Sequence, residues 1–140
     1  MSQSILTDSD LEVQEYIAKR QQNLTNGFNN ASVPALMAMF ADDVEFNDYA
    51  MGVLNLNRIS LEQHFDQMMA TCRNIDMRTK SISGSKYFTV WEWNLTGYEL
   101  PSEPGANGRH ITIVGVSIAW WNVEGKIIKN NDYGKEVPNA

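Results

Sequence analysis

The sequence predicts an α+β fold, a strongly curved antiparallel sheet wrapped around three helices in the first half of the chain, with an internal pocket. Three observations predict it. Apolar residues recur at helical spacing through the first forty or so positions and again from Leu61 to Cys72. From Ile75 onward the spacing shortens to two, the period of strands. The change from one period to the other is visible within a single stretch, Leu36 to Asp48 (LMAMFADDVEFND).

Ser9-Asp10-Leu11-Glu12 has the pattern of a capping box, so a first helix is expected from near Ser9. Val13, Ile17, Leu24 and Phe28 form its apolar stripe, and Asn26-Gly27 and Asn29-Asn30 end it. Ser32 caps a short second helix with Pro34 in its first turn, and Leu36, Met37 and Phe40 continue its spacing. Asp42 and Asp43 break that pattern, and Val44, Phe46 and Asp48 then alternate with Glu45 and Asn47 as a strand. Tyr49 to Asn57 reads as an apolar loop. Ser60-Leu61-Glu62-Gln63 is a second capping pattern and starts a third helix with Leu61, Phe65, Met68, Met69 and Cys72 inward. Strands follow over 75–83, 86–100, 110–122 and 126–133, with a turn region at Pro101 to Gly108 and a tight turn at Val123-Glu124-Gly125. The 110–122 strand is apolar on both faces and is expected to be central.

With 140 residues the chain fits a single domain over 1–140 that is long enough to bury a core. Hydrophobic residues make up 43% and charged residues 20%, a globular balance. The net charge of −6 disfavours nucleic acid or an anionic membrane as a partner, because both select lysine and arginine. A lone cysteine, Cys72, excludes an internal disulfide. The N-terminus shows neither a basic region nor an apolar run, and no stretch is long enough to span a bilayer, so a cytoplasmic location is expected.

The candidate chemistry starts at Asp48. If Val44 and Phe46 point into a core, so does Asp48, because strand side chains repeat every second residue. The alternative is a solvated turn residue at the strand's end. The central strand has one face of small residues (Ile113, Gly115, Ser117, Ala119, Trp121), read as the floor of a ligand pocket or as a place for close helix packing. On the preceding strand Glu92 shares a face with Phe88 and Val90, while Trp91 and Trp93 share the other. The order of residues leaves open which face is inner, and the tryptophans suit either a pocket or a dimer contact. The last strand puts Asn130 and Asp132 on one face with Ile128. Its polar second half suits either an exposed edge or a second acid in the pocket. His64 lies at the edge of the third helix's stripe, a site for proton transfer or a structural histidine. No metal-ligand spacing, glycine-rich phosphate loop or nucleophile elbow is present, so no cofactor and no metal are expected.

Five segments together resemble the SnoaL-like branch of the NTF2-like superfamily, which includes polyketide cyclases and ketosteroid isomerases. They are LMAMFADDVEFND, SLEQHF, VWEWNLTGYEL, GRHITIVGVSIAWWNVEGKI and NNDY. The resemblance implies a conical α+β barrel whose sheet surrounds three helices and a cavity. It places the proton-abstracting aspartate of the isomerases at Asp48. Their protonated aspartate falls near Ser117 and their tyrosine near Leu24, so both isomerase helpers are missing and a steroid isomerase is disfavoured. Tyr16 or Tyr49 could stand in for that tyrosine. The Arg-x-Asp pair of limonene-epoxide hydrolases is also absent. The aspartate that cyclases of this type carry on the last strand after a GKI segment corresponds to Asp132, and the helix histidine of some relatives to His64.

The expected function is a cofactor-independent acid–base enzyme, a cyclase, isomerase or dehydratase, acting on a hydrophobic polyketide- or terpenoid-like small molecule in secondary metabolism. Asp48, Asp132 and His64 are the expected catalytic residues. Tyr49, Trp91, Glu92, Ser117, Trp121 and Asn130 are expected to contact substrate, and the protein is expected to be a homodimer. The competing expectation is a non-catalytic ligand-binding or dimerisation module of the same fold.

Overall fold

The computed structural model describes residues 8–101 and 108–138. The elements run α1 (Asp8–Asn29), α2 (Val33–Met37), β1 (Phe40–Asp48), β2 (Val53–Leu56), α3 (Arg58–Thr71), β3 (Cys72–Gly84), β4 (Phe88–Glu99), β5 (Arg109–Trp121) and β6 (Ile127–Glu136). The strands form one sheet in the order β2-β1-β6-β5-β4-β3. The expected all-antiparallel sheet is corrected here: β1 and β6 run parallel, so the sheet is mixed. It is also open among the described residues, because β2 and β3 are its two edges. Bulges between Arg73 and Asp76 and between Thr79 and Ser81 interrupt the long β3 strand and bend it.

Several local expectations shift by a few residues. Phe40 is buried as its helical spacing implies, but α2 ends at Met37 and Phe40 already pairs with Ile127 as the first residue of β1. Ser9 lies inside the first turn of α1 rather than ahead of it. The cap of α3 is Asn57, not Ser60. The Asn57 side chain accepts from Ser60 N at 3.0 Å, and Ser60 Oγ accepts in return from Asn57 N at 2.9 Å. The apolar segment after Asp48 is not all loop: it turns at Gly52 (φ +68°) and returns as β2 along β1. Cys72 opens β3 instead of continuing the helix stripe. The turn expected over Pro101 to Gly108 lies largely outside the described residues.

α1 and α3 cover one face of the sheet. The end of α1 is fixed to β3 by two hydrogen bonds, Asn29 Nδ2 to Met77 O (3.1 Å) and Met77 N to Asn29 Oδ1 (2.6 Å). Between helices and sheet, Phe65 meets Phe28, Phe40 and Phe46 at centroid distances of 5.8, 5.8 and 5.9 Å. These rings, with Leu36, Leu61 and Ile127, form the dense end of the core.

Register decides which side chains face the helices. Asp48 of β1 pairs with Asp132 of β6, Asp132 with Ser117 of β5, and Ser117 with Trp91 of β4. Paired residues share a face, so these four form one row across the sheet. Two residues away on the same face runs Phe46, Asn130, Ala119 and Thr89, and two residues the other way Gly134, Gly115 and Trp93. β6 is therefore an interior strand, and its polar half sits mid-sheet rather than at an exposed edge.

The small-residue face of β5 is only in part a pocket floor. A Cβ at Gly115 would lie 2.3 Å from Trp93 Cζ2, so the indole of Trp93 fills that space. Gly115→Ala is expected to displace the indole and lower stability by about 1–3 kcal/mol, measured by chemical denaturation.

Candidate active site

A cavity of about 640 Å³ lies between the sheet and helices α1 and α3. Its wall is mostly apolar, with Phe28, Phe46, Phe65, Met68, Met77 and Trp93 among its residues. Asp48, His64 and Asp132 all border it, as do Trp91, Ser117 and Asn130. Asp48 is thus a wall residue of the cavity and not a solvated turn, although its Oδ1 also accepts from Met51 N (3.1 Å) to close the β1–β2 turn.

Asp132 is the most constrained group. Ser117 Oγ donates to its Oδ1 at 2.6 Å and Asn130 Nδ2 donates to the same oxygen at 2.7 Å. Ser117 in turn accepts from Trp93 Nε1 at 2.9 Å, so an indole, a hydroxyl and a carboxylate form a chain. No group among the described residues donates to Oδ2. Burial pushes the Asp132 carboxyl up to about 6, against the two hydrogen bonds that favour its ionised form, and the charge of Asp48 adds to the rise. Such a carboxyl can give or take a proton near neutrality.

His64 reaches the cavity from α3, its ring 6.1 Å from both Phe46 and Phe65. Burial lowers its pKa, and Asp48 opposes that shift. The imidazole is therefore neutral at pH 7 and able to accept a proton. The Asp48 charge raises the proton affinity of both Asp132 and His64, as the smallest of the causes acting on each. No group of three or more His, Cys, Asp or Glu side chains among the described residues could hold a metal ion.

Three expected substrate contacts are placed elsewhere. Glu92 pairs with Val116 on the opposite face of the sheet, where it is exposed and accepts from Ser81 Oγ (2.8 Å). Trp91 and Trp93 take the inner face, so Glu92 one residue away cannot. Tyr49 is 46% exposed and stacks on Tyr133, ring centroids 5.0 Å apart. It follows Asp48 directly and falls on the other side of the strand. Trp121 is buried but lies beyond the cavity. Its Nε1 donates to Thr89 Oγ1 (2.8 Å), and the Arg20 guanidinium sits 3.5 Å from its ring centroid. Trp93, whose role as the outer donor of the Asp132 chain was not foreseen, carries one usable signal in the sequence: it is two residues from Trp91 and therefore on the same face.

The sequence model of the SnoaL-like domain matches residues 22–130, which span α1 to the middle of β6. The chain belongs to the SnoaL-like domain family. Among relatives of this SnoaL-like protein is cyclase aurE of Calcarisporium arbuscula, 29% identical over 120 residues, covering 85% of this chain and 87% of the relative. Solved structures share the fold at lower identity. A protein of Shewanella denitrificans assigned as a SnoaL-like polyketide cyclase has a TM-score of 0.71 at 13% identity, over 84% of this chain and 89% of the other. SalBIII, an epoxide hydrolase/cyclase-like enzyme of pyran ring formation in the polyether salinomycin, has a TM-score of 0.68 at 16% identity, over 85% and 92%. An NTF2-like protein of Burkholderia xenovorans has a TM-score of 0.67 at 17% identity, over 90% and 88%, which sets the SnoaL-like chain among NTF2-like folds. No helix among the described residues is long and apolar enough to cross a membrane.

Proposed function

We propose that this SnoaL-like protein is a cofactor-independent acid–base enzyme of secondary metabolism that cyclises, isomerises or dehydrates a hydrophobic polyketide- or terpenoid-like molecule. The observation that carries the reading is Asp132: a carboxyl with a proton affinity near neutrality, set by burial and by two donors, on the wall of an apolar cavity that also holds Asp48 and His64. The relationship to cyclase aurE supports the cyclase branch of this reading.

Asp48, beside Asp132 in the same row of the sheet, abstracts a substrate proton. Asp132, holding a proton up to about pH 6, protonates the substrate at the other end of the rearranging system through Oδ2, to which no group among the described residues donates. Neutral His64 on the facing helix moves the proton between substrate and carboxylates. A substrate filling the mostly apolar cavity displaces water from it, which strengthens each charge at the reacting atoms. Trp91 and Phe46 pack against the substrate's apolar body. A ligand-binding module with no chemistry would need no carboxyl pair on the wall of a mostly apolar cavity, where each buried charge costs several kcal/mol in order of magnitude.

The test is incubation of the purified protein with intermediates of the pathway whose genes neighbour its own, with products followed by mass spectrometry. A new isomer, or a product lighter by one water, is the expected result. His64→Gln is expected to lower its rate by about tenfold or more, while unaltered rates would remove His64 from the mechanism.

The homodimer belongs to the same proposal. The sheet face away from the helices presents Val114, Val116, Ile118 and Trp120 of β5, none of them fully buried, beside exposed Phe88 and Tyr133. A second copy covering this strip would make Val116→Glu monomeric in light scattering; a wild-type protein that already runs as a monomer contradicts it.

A further inference from the structure

Next to the cavity lies a second, water-sized hollow of about 10 Å³. Leu24, Trp91, Ser117 and Asn130 border both spaces and so separate them. The other polar residues around the hollow are Gln21 of α1 and Thr89 of β4. Gln21 is 3% exposed and Asn130 5%, yet among the described residues nothing bonds to the Gln21 side-chain amide or to Asn130 Oδ1. Thr89 Oγ1 accepts from Trp121 Nε1 and keeps its own proton to donate. Buried polar groups in native proteins are paired, by water where no protein group reaches them.

We propose that the hollow holds one bound water joining Gln21, Thr89 and Asn130, and that Gln21 is thereby a positioning residue for Asp132. The water donates to Asn130 Oδ1 and meets the Gln21 amide and the Thr89 hydroxyl, three partners, the usual number for a buried water. The consequence lies in the Asn130 amide. With its oxygen held by the water, its Nδ2–H stays aimed at Asp132 Oδ1 and favours the carboxylate. An amide turned over would offer Oδ1 to Asp132 and favour the protonated acid. Gln21, on the far side of a water, therefore sets the proton affinity of a group it does not touch. The charged and titratable groups that border the cavity with Asp132 are Asp48 on β1, His64 on α3, Cys72 at the start of β3, and the exposed Glu99, Lys135 and Glu136. None of them changes in the test.

This inference deepens the acid–base reading of the site, and its test needs no substrate, so either can fail without the other. Protein labelled with 13C at aspartate Cγ is titrated by NMR, with Asp132 assigned by its loss in Asp132→Asn. Gln21→Met keeps the side chain's length and removes its hydrogen bonding. Ala119→Val fills the hollow from β5 without altering any hydrogen-bonding group. Each variant is expected to raise the Asp132 midpoint by about one pH unit, the size of one lost charge-assisted hydrogen bond. The wild-type protein is expected to show a water cross-peak to the Gln21 and Asn130 side-chain amide protons. An unmoved midpoint in either folded variant overturns the proposal. So does a missing water cross-peak, even where the midpoint moves, and a missing cross-peak decides the matter if neither variant folds.

Discussion

Asp132→Asn is expected to make the protein more stable above pH 6 and to lower its turnover by at least about 100-fold. The stability half follows from linkage. Folded Asp132 holds its proton to about 6, whereas the unfolded chain releases it near the ordinary value of 3.8. Between those values the folded state binds more protons than the unfolded one, so stability falls as pH rises through that window and stays reduced above it. The full interval corresponds to at most about 3 kcal/mol. The part of the carboxylate that still meets the cavity lowers this, as do the bonds from Ser117 and Asn130, which are weaker to a neutral amide. A gain of about 1–2 kcal/mol at pH 8, shrinking to nothing by pH 4, is the expected outcome of denaturation at several pH values. The turnover half follows from the loss of the only proton Asp132 can exchange. A residue that costs stability and is required for activity is the signature of a site kept for chemistry. A variant that is less stable at pH 8 than the wild type would mean that the buried carboxylate is structural.

Asp48→Asn is expected to cut turnover by about 10²–10⁴-fold, the range of a positioned general base, with the fold retained. The amide still offers an oxygen to Met51 N, so the β1–β2 turn keeps its hydrogen bond. Removing the Asp48 charge also acts at a distance. The Asp132 pKa falls because a repelling neighbour is gone, and the His64 pKa falls further because an attracting one is gone. The pH dependence of the residual activity therefore moves toward acid. Turnover close to wild type would exclude Asp48 from proton abstraction and leave Asp132 and His64 as the working pair.

The α+β class was legible from the change of period, and Asp48 and Asp132 became candidates through strand alternation together with the resemblance of LMAMFADDVEFND and NNDY to SnoaL-like proteins. Val44, Phe46 and Asp48 share a face whatever their neighbours do, and so do Asn130 and Asp132. What alternation leaves open is which face is inner, because that depends on pairing. Glu92 and Trp91 are adjacent, so the cavity admits one of them, and the choice is made by the register of Trp91 with Ser117. Tyr49 fails for the same reason, one residue past Asp48. The small face of β5 suits a pocket floor or close helix packing by its own pattern, but an indole two strand positions from Trp91 occupies part of it, a contact between strands that no single strand's pattern contains. β6 could be read as an edge because its second half is polar; only the parallel pairing with β1, across most of the chain's length, puts it in the interior. The capping of α3 by Asn57 instead of Ser60 shows a smaller limit, since both residues can cap and the reciprocal bond between them settles which does.

The proposed chemistry centres on a carboxyl whose proton affinity is raised by its burial at the cavity and, to a smaller extent, by Asp48. The most direct measurement is the NMR titration of Asp132 in the wild type and in Asp48→Asn. A midpoint near 6 that falls when the Asp48 charge is removed is the predicted result. A midpoint near 4, unchanged by Asp48→Asn, would contradict the coupled acid pair and with it the acid–base reading of the site.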